Sequence, residues 1–441
     1  MIESDQSDDT GRRSGQAFVR VRTMTRDLLG NNTRWAAVSE VLQLVSSTLV
    51  VLMVARLLDE TSYGVLGGVA AVAAIALNLS NLGSHILLLR RAARGEDLRE
   101  AWSRAVTVGV GLPALLAVLL LAAKPLLQPN VDFDVYVLFI VAGMPLFWLS
   151  ELAVYLPVGL GHMKRAAIGR LIVTVCRLGA IGWFALAAEQ TLLTWAWANM
   201  VSFALSAVLG VAYVGFAYGV RPVFNRRANE DLGPGLPFSV NGVTENLNDQ
   251  ADRALLLRFD HVEDNGFYSF GGRAIQFAYM PLRMLLRAHD SELFGAGKSG
   301  VTKAFGVAAR LAPTAVLLGV GAGVVFWFLA PFVPIILGSN WSDEVVAVIR
   351  WLAFLPGIRA VQYVAGNTLS AADKQWWRFG ATGAAAALNI GLNIWLLPNG
   401  SWRTAAMTTY VSESVLMCSL AALVFYWIRR EANDPSLTAE D

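Results

Sequence analysis

The sequence predicts an all-α polytopic membrane protein, with about twelve transmembrane helices in two six-helix lobes. Three observations carry that expectation. Apolar runs of about 20 residues, long enough to cross a bilayer, recur along the whole chain. Charged residues make up 15% of it, against about 25% in soluble domains, and the mean hydropathy is +0.51. Connections rich in Lys and Arg alternate with connections rich in Asp and Glu, as a membrane topology requires. The net charge of +2 decides little beside that distribution.

Residues 1–32 are polar and charged and read as a cytoplasmic tail, with no signal peptide. Six spans follow at 33–58, 63–89, 105–127, 135–160, 166–188 and 192–218, giving an N-terminal lobe over 33–219. A cytoplasmic linker at 220–235 leads to spans at 236–257, 267–286, 305–337, 345–369, 379–397 and 404–428. These form a C-terminal lobe over 236–428, and 429–441 is a second tail. The cationic connections carry Arg90, Arg91 and Arg94, then Lys164 and Arg165, Arg226 and Arg227, and Lys374 and Arg378. The acidic ones carry Asp59 and Glu60, Asp132 and Asp134, and Asp260, Glu263 and Asp264. Cations collect on the cytoplasmic side, so both termini are expected there, at the plasma membrane. Trp341, Trp395 and Trp402 fit an interfacial belt. Cys176 and Cys418 fall inside spans and suggest neither a disulfide nor a metal site.

The seventh span carries an unusual polar load. Asn241, Glu245, Asn248, Asp249 and Asp252 recur at the helical period and share one face. The eighth carries Arg273, Gln276, Arg283 and Arg287, also roughly on one face. Each charge costs at least ~2.5–3.5 kcal/mol at the bilayer centre, so these stripes are expected to face a wet cavity or each other.

The two halves resemble each other. Arg56 precedes Gly64 by eight residues, as Arg258 precedes Gly266. In that register Ser39 falls on Asn241, Gln43 on Glu245, Asn81 on Arg283 and His85 on Arg287. Two six-span halves in one orientation imply a pseudo-two-fold axis along the membrane normal, with the cavity between them. Arg177, Glu151, Arg359 and Glu413 are further intramembrane charges that would line the cavity or pair between helices.

Several stretches resemble the oligosaccharide-lipid flippases of the polysaccharide-export family. These are Wzx-type proteins, within the group that also holds lipid II flippases and MATE exporters. The residues are Arg56 to Glu60 with Tyr63 and Gly64, Gly235 to Phe238, Asp252-Arg253 before Leu255-Leu256, Gly266 to Ser269, and Ile336 to Gly338 with Trp341. Leu58 and Asp59 stand where that family usually has Gly and Pro. The resemblance implies alternating access around a central cavity and a polyprenyl-pyrophosphate-linked saccharide as cargo, moved from the inner to the outer leaflet. Membrane lipids, and other polysaccharide assembly proteins, are the implied partners; no nucleic acid is expected.

Such cargo needs cations for its pyrophosphate, and Arg suits this through its planar, permanently charged fork. Arg273, Arg283 and Arg287 form the expected phosphate ladder, Arg273 lying roughly 15 Å beyond Arg283 at 1.5 Å per residue. Asn241, Glu245, Asn248, Asp249, Asp252, Gln43, Asn81 and His85 complete the expected lining and suit sugar hydroxyls. Glu245 is expected near the depth of Arg283, and Asp249 and Asp252 near Arg273, so that phosphate competes with carboxylates for the arginines. No cofactor is indicated; the carboxylates are candidates for a coupling Na⁺ or H⁺. A MATE-like cation antiporter is the alternative transporter. A saccharide polymerase or ligase is disfavoured, because the connections are short and no metal cluster, nucleophile–base pair or nucleotide loop is present in the sequence.

Overall fold

The computed structural model describes residues 31–338 and 341–433. Among them the regular structure is helical throughout. The expected tail at 1–32 lies outside the described residues up to residue 30, and Asn31 already opens the first helix. The helices are α1 (Asn31–Leu57), α2 (Glu60–Ser80), α3 (Ser84–Ala93), α4 (Leu98–Ala122), α5 (Phe133–Val141), α6 (Phe147–Gly159), α7 (Met163–Leu186) and α8 (Leu192–Tyr218). The second half holds α9 (Leu232–Arg258), α10 (Val262–Ala278), α11 (Met280–Ala288), α12 (Asp290–Gly297), α13 (Val301–Leu329), α14 (Glu344–Leu352), α15 (Leu355–Ala371), α16 (Gln375–Leu396) and α17 (Trp402–Asn433).

Among the described residues, nine helical stretches are long and apolar enough to cross a membrane. The expected seventh, eighth and tenth spans are not among those nine, and the reason is chemical. α9 is unbroken but carries the polar stripe. The eighth is interrupted at Tyr279, where Pro281 restarts it as α11, and again at His289. The tenth breaks at Ala353–Phe354, ahead of Pro356. Proline lacks the amide that would continue the ladder and fits best in a new first turn. The second span also breaks, at Leu82 and Gly83, which both have positive φ. Pro145 falls in a π-helical turn, Ala142–Leu146, that joins α5 to α6. The linker ends earlier than the sequence suggests, since α9 begins at Leu232, and α17 runs on to Asn433.

The packing falls into two groups joined by two helices. In the first half α7 packs on α1 and α8, and α6 packs on α3 and α8. In the second half α15 packs on α13 and α17, and α16 on α9 and α17. Across the middle, α2 packs on α9 and α10. Glycines permit that approach: a Cβ on Gly64 would overlap the Val262 carbonyl, and a Cβ on Gly266 would overlap the Glu60 carbonyl. Gly64 and Gly266 hold matching places in the sequence repeat, as do Glu60 and Val262, so each half offers the other the same contact. Reciprocity of this kind belongs to a two-fold interface.

The largest apolar core spans both halves, with Tyr63 and Val54 meeting Leu256, Phe267, Phe270 and Trp341. It lies toward the face opposite the one that bears residues 31 and 433. There the Trp341 indole donates to the Ala55 carbonyl at 2.7 Å. Arg258 Nε donates to the Leu126 carbonyl at 2.6 Å, and Asn130 to Asp260 at 2.9 Å. At the terminal face the joint is ionic. Arg91 grips the buried Asp231 at 2.6 and 2.5 Å, and Arg104 reaches Glu230 at 2.8 Å. The hydrogen bonds to Asp231 raise the pKa of the Arg91 guanidinium above its ordinary value.

Candidate functional site

The second half holds a cavity of about 470 Å³, open toward the terminal face. Four arginines line it, Arg283, Arg287, Arg359 and Arg378, and four acids, Glu245, Asp249, Asp290 and Glu413. α9 supplies Glu245, Asn248 and Asp249 because its polar residues share one face. α11 supplies Arg283 and Arg287, one turn apart; α15 supplies Arg359 and Gln362; α17 supplies Glu413.

At the inner end the charges are closely paired. Glu413 is 1% exposed. Its carboxylate accepts from Arg359 at 2.5 Å, Gln362 at 2.7 Å and Asn248 at 3.0 Å. Arg359 also reaches Asp249 at 2.7 Å and lies 5.2 Å over the Tyr279 ring. One guanidinium thus pairs with two carboxylates, which gives the buried Glu413 the hydrogen-bonded partner it requires and leaves the trio with one net negative charge. Nearer the face, Arg378 meets Glu245 at 3.4 Å and Ser370 at 3.0 Å. Arg283 and Arg287 are exposed and make no ion pair among the described residues. Anion-binding capacity is therefore concentrated at the exposed end.

Glu245, Asn248, Asp249, Arg283 and Arg287 come together in this cavity. Others go elsewhere. Arg273 lines a separate cavity with Arg177, so it does not extend the Arg283–Arg287 pair as a continuous ladder. Asp249 pairs with Arg359 and Glu245 with Arg378, in place of the eighth-span arginines. Asp252 points into packed protein and accepts from Thr409 at 2.5 Å, Tyr268 at 2.8 Å and Asn393 at 2.9 Å. Its carboxylate is saturated and belongs to the helix packing. Asn81 caps the end of α2, accepting from the Gly83 amide at 2.8 Å, and its side chain meets His85 at 3.3 Å. The His85 ring stacks 5.1 Å from Trp148. Both sit in the first half, away from the cavity, whose lining comes from the second half. Gln43 is exposed on α1 and does not line it either. The side chain of Asn241 lies outside the described residues.

The cavity lining comes wholly from residues 245–420, not from both halves as the repeat suggested. Gln362, Asp290 and Asn367 are absent from the expected lining, and Arg378, expected only as a cation of a connection, joins it. A partial signal existed: Arg359 and Gln362 are three apart on a helix, hence on one face. Glu151 pairs with Arg170 at 2.7 Å, which leaves Arg177 apart from it.

Solved structures share the fold. One is an inward-facing multidrug resistance MATE family transporter of the MOP superfamily, 12% identical, covering 89% of this chain and 99% of its own, with a TM-score of 0.71. An outward-facing transporter of that description is 14% identical, with 92% and 98% covered and a TM-score of 0.54. A MOP superfamily transporter from Pyrococcus furiosus Vc1, described by a reversed polarity of its binding pocket, is 12% identical, with 94% and 98% covered and a TM-score of 0.53. Comparison with curated proteins finds no match. A model of the polysaccharide biosynthesis protein family matches residues 29–287, more than half of the chain, and the chain belongs to that family.

Proposed function

We propose that this protein moves a polyprenyl-pyrophosphate-linked saccharide from the inner to the outer leaflet by alternating access, for cell-surface polysaccharide assembly. The observation that carries this reading is the cavity with exposed Arg283 and Arg287, which make no ion pair among the described residues, at its open end and acids already held by Arg359 at its inner end. The pyrophosphate engages the two arginines through charge-assisted hydrogen bonds. Asn248, Gln362, Asn367 and Ser370 offer the donors and acceptors that sugar hydroxyls need. The terminal face is the cytoplasmic one, because the cation-rich connections gather there. The membrane is the plasma membrane, and the partners are the proteins that build and polymerise the saccharide.

An anionic cargo fits the cavity better than an organic cation. Glu413 and Asp249 are both held by Arg359, and Glu245 lies on Arg378. When phosphate enters, it competes with Asp249 and Glu413 for Arg359, and those carboxylates are where a coupling proton or sodium ion would act. The test is the Arg283→Ala/Arg287→Ala double variant in cells that depend on the protein. Surface polysaccharide should fall about tenfold or more, corresponding to at least about 1.4 kcal/mol, while lipid-linked saccharide accumulates on the inner leaflet. Undiminished export would remove the phosphate role of both arginines.

A further inference from the structure

We propose that α16 and α17, at their ends on the terminal face, bind one anionic phospholipid, its acyl chain in a cleft between the two helices and its phosphate against Lys374 and Arg430. The cleft holds about 880 Å³. Trp376, Trp377 and Gly380 line it from α16, and Ser419, Ala422 and Tyr426 from α17. Small residues leave the space: a Cβ on Gly380 would meet nothing within 4 Å. Aromatic side chains bound it, and Trp376 is 64% exposed. Among the described residues, no charged one lines the cleft. Such a space takes a hydrocarbon chain and excludes a charged group. Trp and Tyr at this end match the headgroup level of a bilayer.

The cations stand just past the cleft. Arg430 follows Tyr426 by one turn of α17, about 6 Å, and Lys374 precedes Trp376 at the start of α16. Both lie over the Trp427 ring, Lys374 Nζ at 4.3 Å and the Arg430 guanidinium carbon at 5.0 Å from its centroid. Trp427 in turn packs on Trp377 and Tyr426, with ring centroids 6.1 and 5.7 Å apart. One aromatic group thus ties the two cations to the wall of the cleft. Neither cation makes an ion pair among the described residues, and neither do the exposed Arg429 and Asp373. Glu431, the acid beside Arg430, is committed elsewhere. It accepts from the Val301 amide at 2.6 Å and from the Thr302 amide and hydroxyl at 2.9 and 2.7 Å. A cation over an aromatic ring keeps its charge, so this corner is a positive patch at the edge of an apolar cleft. A zwitterionic lipid brings its own cation to that patch, whereas an anionic lipid brings a phosphate without one. Basic pockets between helices at a membrane face select anionic headgroups in this way. α16 also carries Arg378 into the larger cavity, where it meets Glu245. A lipid seated on Trp377 therefore steadies the helix end from which that arginine projects.

The test uses the full-length protein, stripped of lipid in a neutral detergent. It is titrated with phosphatidylglycerol and, separately, with phosphatidylcholine of the same chains, and bound lipid is counted by native mass spectrometry. One phosphatidylglycerol should bind about tenfold or more tighter than phosphatidylcholine. Lys374→Gln/Arg430→Gln should bring the two lipids level. Ala422→Phe fills the cleft and keeps the cations, and it should weaken phosphatidylglycerol binding about tenfold. It judges the site independently should the charge variant fail to fold. Arg221→Gln/Arg226→Gln removes two cations of the same face away from the cleft and should leave the preference intact. Equal affinity of the wild type for both lipids overturns the site. So does a preference that survives Lys374→Gln/Arg430→Gln, one lost equally in Arg221→Gln/Arg226→Gln, or an affinity unchanged by Ala422→Phe. A wild-type dimer that retains no lipid assigns the cleft to a second copy of the chain and overturns it as well.

Discussion

A carboxylate as buried as Glu413 persists in a membrane interior only if its charge is balanced and its lone pairs are filled. Arg359, Gln362 and Asn248 do both. Removing one partner of such a pair leaves an uncompensated charge, at a cost of about 3–5 kcal/mol. Arg359→Ala should therefore lower the thermal stability of the purified protein markedly, and Arg359→Ala/Glu413→Gln should recover part of the loss. Equal melting of the single variant and the parent would mean that the cluster is not a paired unit. The asymmetry within the cavity follows from the same accounting. Arg359 is committed to two acids, whereas Arg283 and Arg287 make no ion pair among the described residues.

Among the elements, the α2–α9–α10 junction sets what the halves can do. Gly64 and Gly266 meet the partner backbone reciprocally, so a side chain at either place meets the same obstacle. Gly64→Ala and Gly266→Ala should each destabilise the protein by a similar amount, about 1–3 kcal/mol as for other overpacked sites. Unfolding in detergent would show this, and a large cost at one glycine with none at the other would contradict the two-fold contact. The interrupted helices matter for placement. The breaks at Tyr279 and at Ala353–Phe354 separate α11 and α15 from the helices before them, and those two segments present Arg283, Arg287, Arg359 and Gln362 to one space.

These breaks also mark the limit of what was legible in the sequence. Hydropathy and charge alternation gave the helical class, and the repeat register put Gly64 opposite Gly266. The polar face of α9 is read directly from spacing. Which arginine meets which acid depends on helix rotation after a break, and periodicity does not carry across Tyr279 or Phe354. Hence Arg283 was aligned with Glu245, while Arg378 from α16 takes that place. Trp341, which spacing marks as an interfacial anchor, is 5% exposed and bonds the end of α1.

For the whole molecule, the two faces are joined differently. Opposite the termini, the halves share an apolar core capped by Trp341; at the terminal face they share ion pairs through Asp231 and Glu230. The proposed alternating access requires the core-side joint to open. Trp341→Phe keeps an aromatic ring there and removes the indole N–H, losing about 0.5–1.5 kcal/mol of hydrogen bonding. A cysteine placed at Ala55 in that variant should react faster with a membrane-impermeant thiol reagent from the opposite face, and an unchanged rate would show that Trp341 does not hold the joint. The central claim is transport of a lipid-linked saccharide, and reconstitution tests it most directly. Proteoliposomes carrying a polyprenyl-pyrophosphate-linked saccharide in both leaflets are treated with an impermeant glycosidase. The account predicts that the wild type exposes the shielded inner pool within minutes, and that Arg283→Ala/Arg287→Ala vesicles leave it shielded as in protein-free vesicles. A shielded pool in wild-type vesicles, or equal exposure with the double variant, would contradict it.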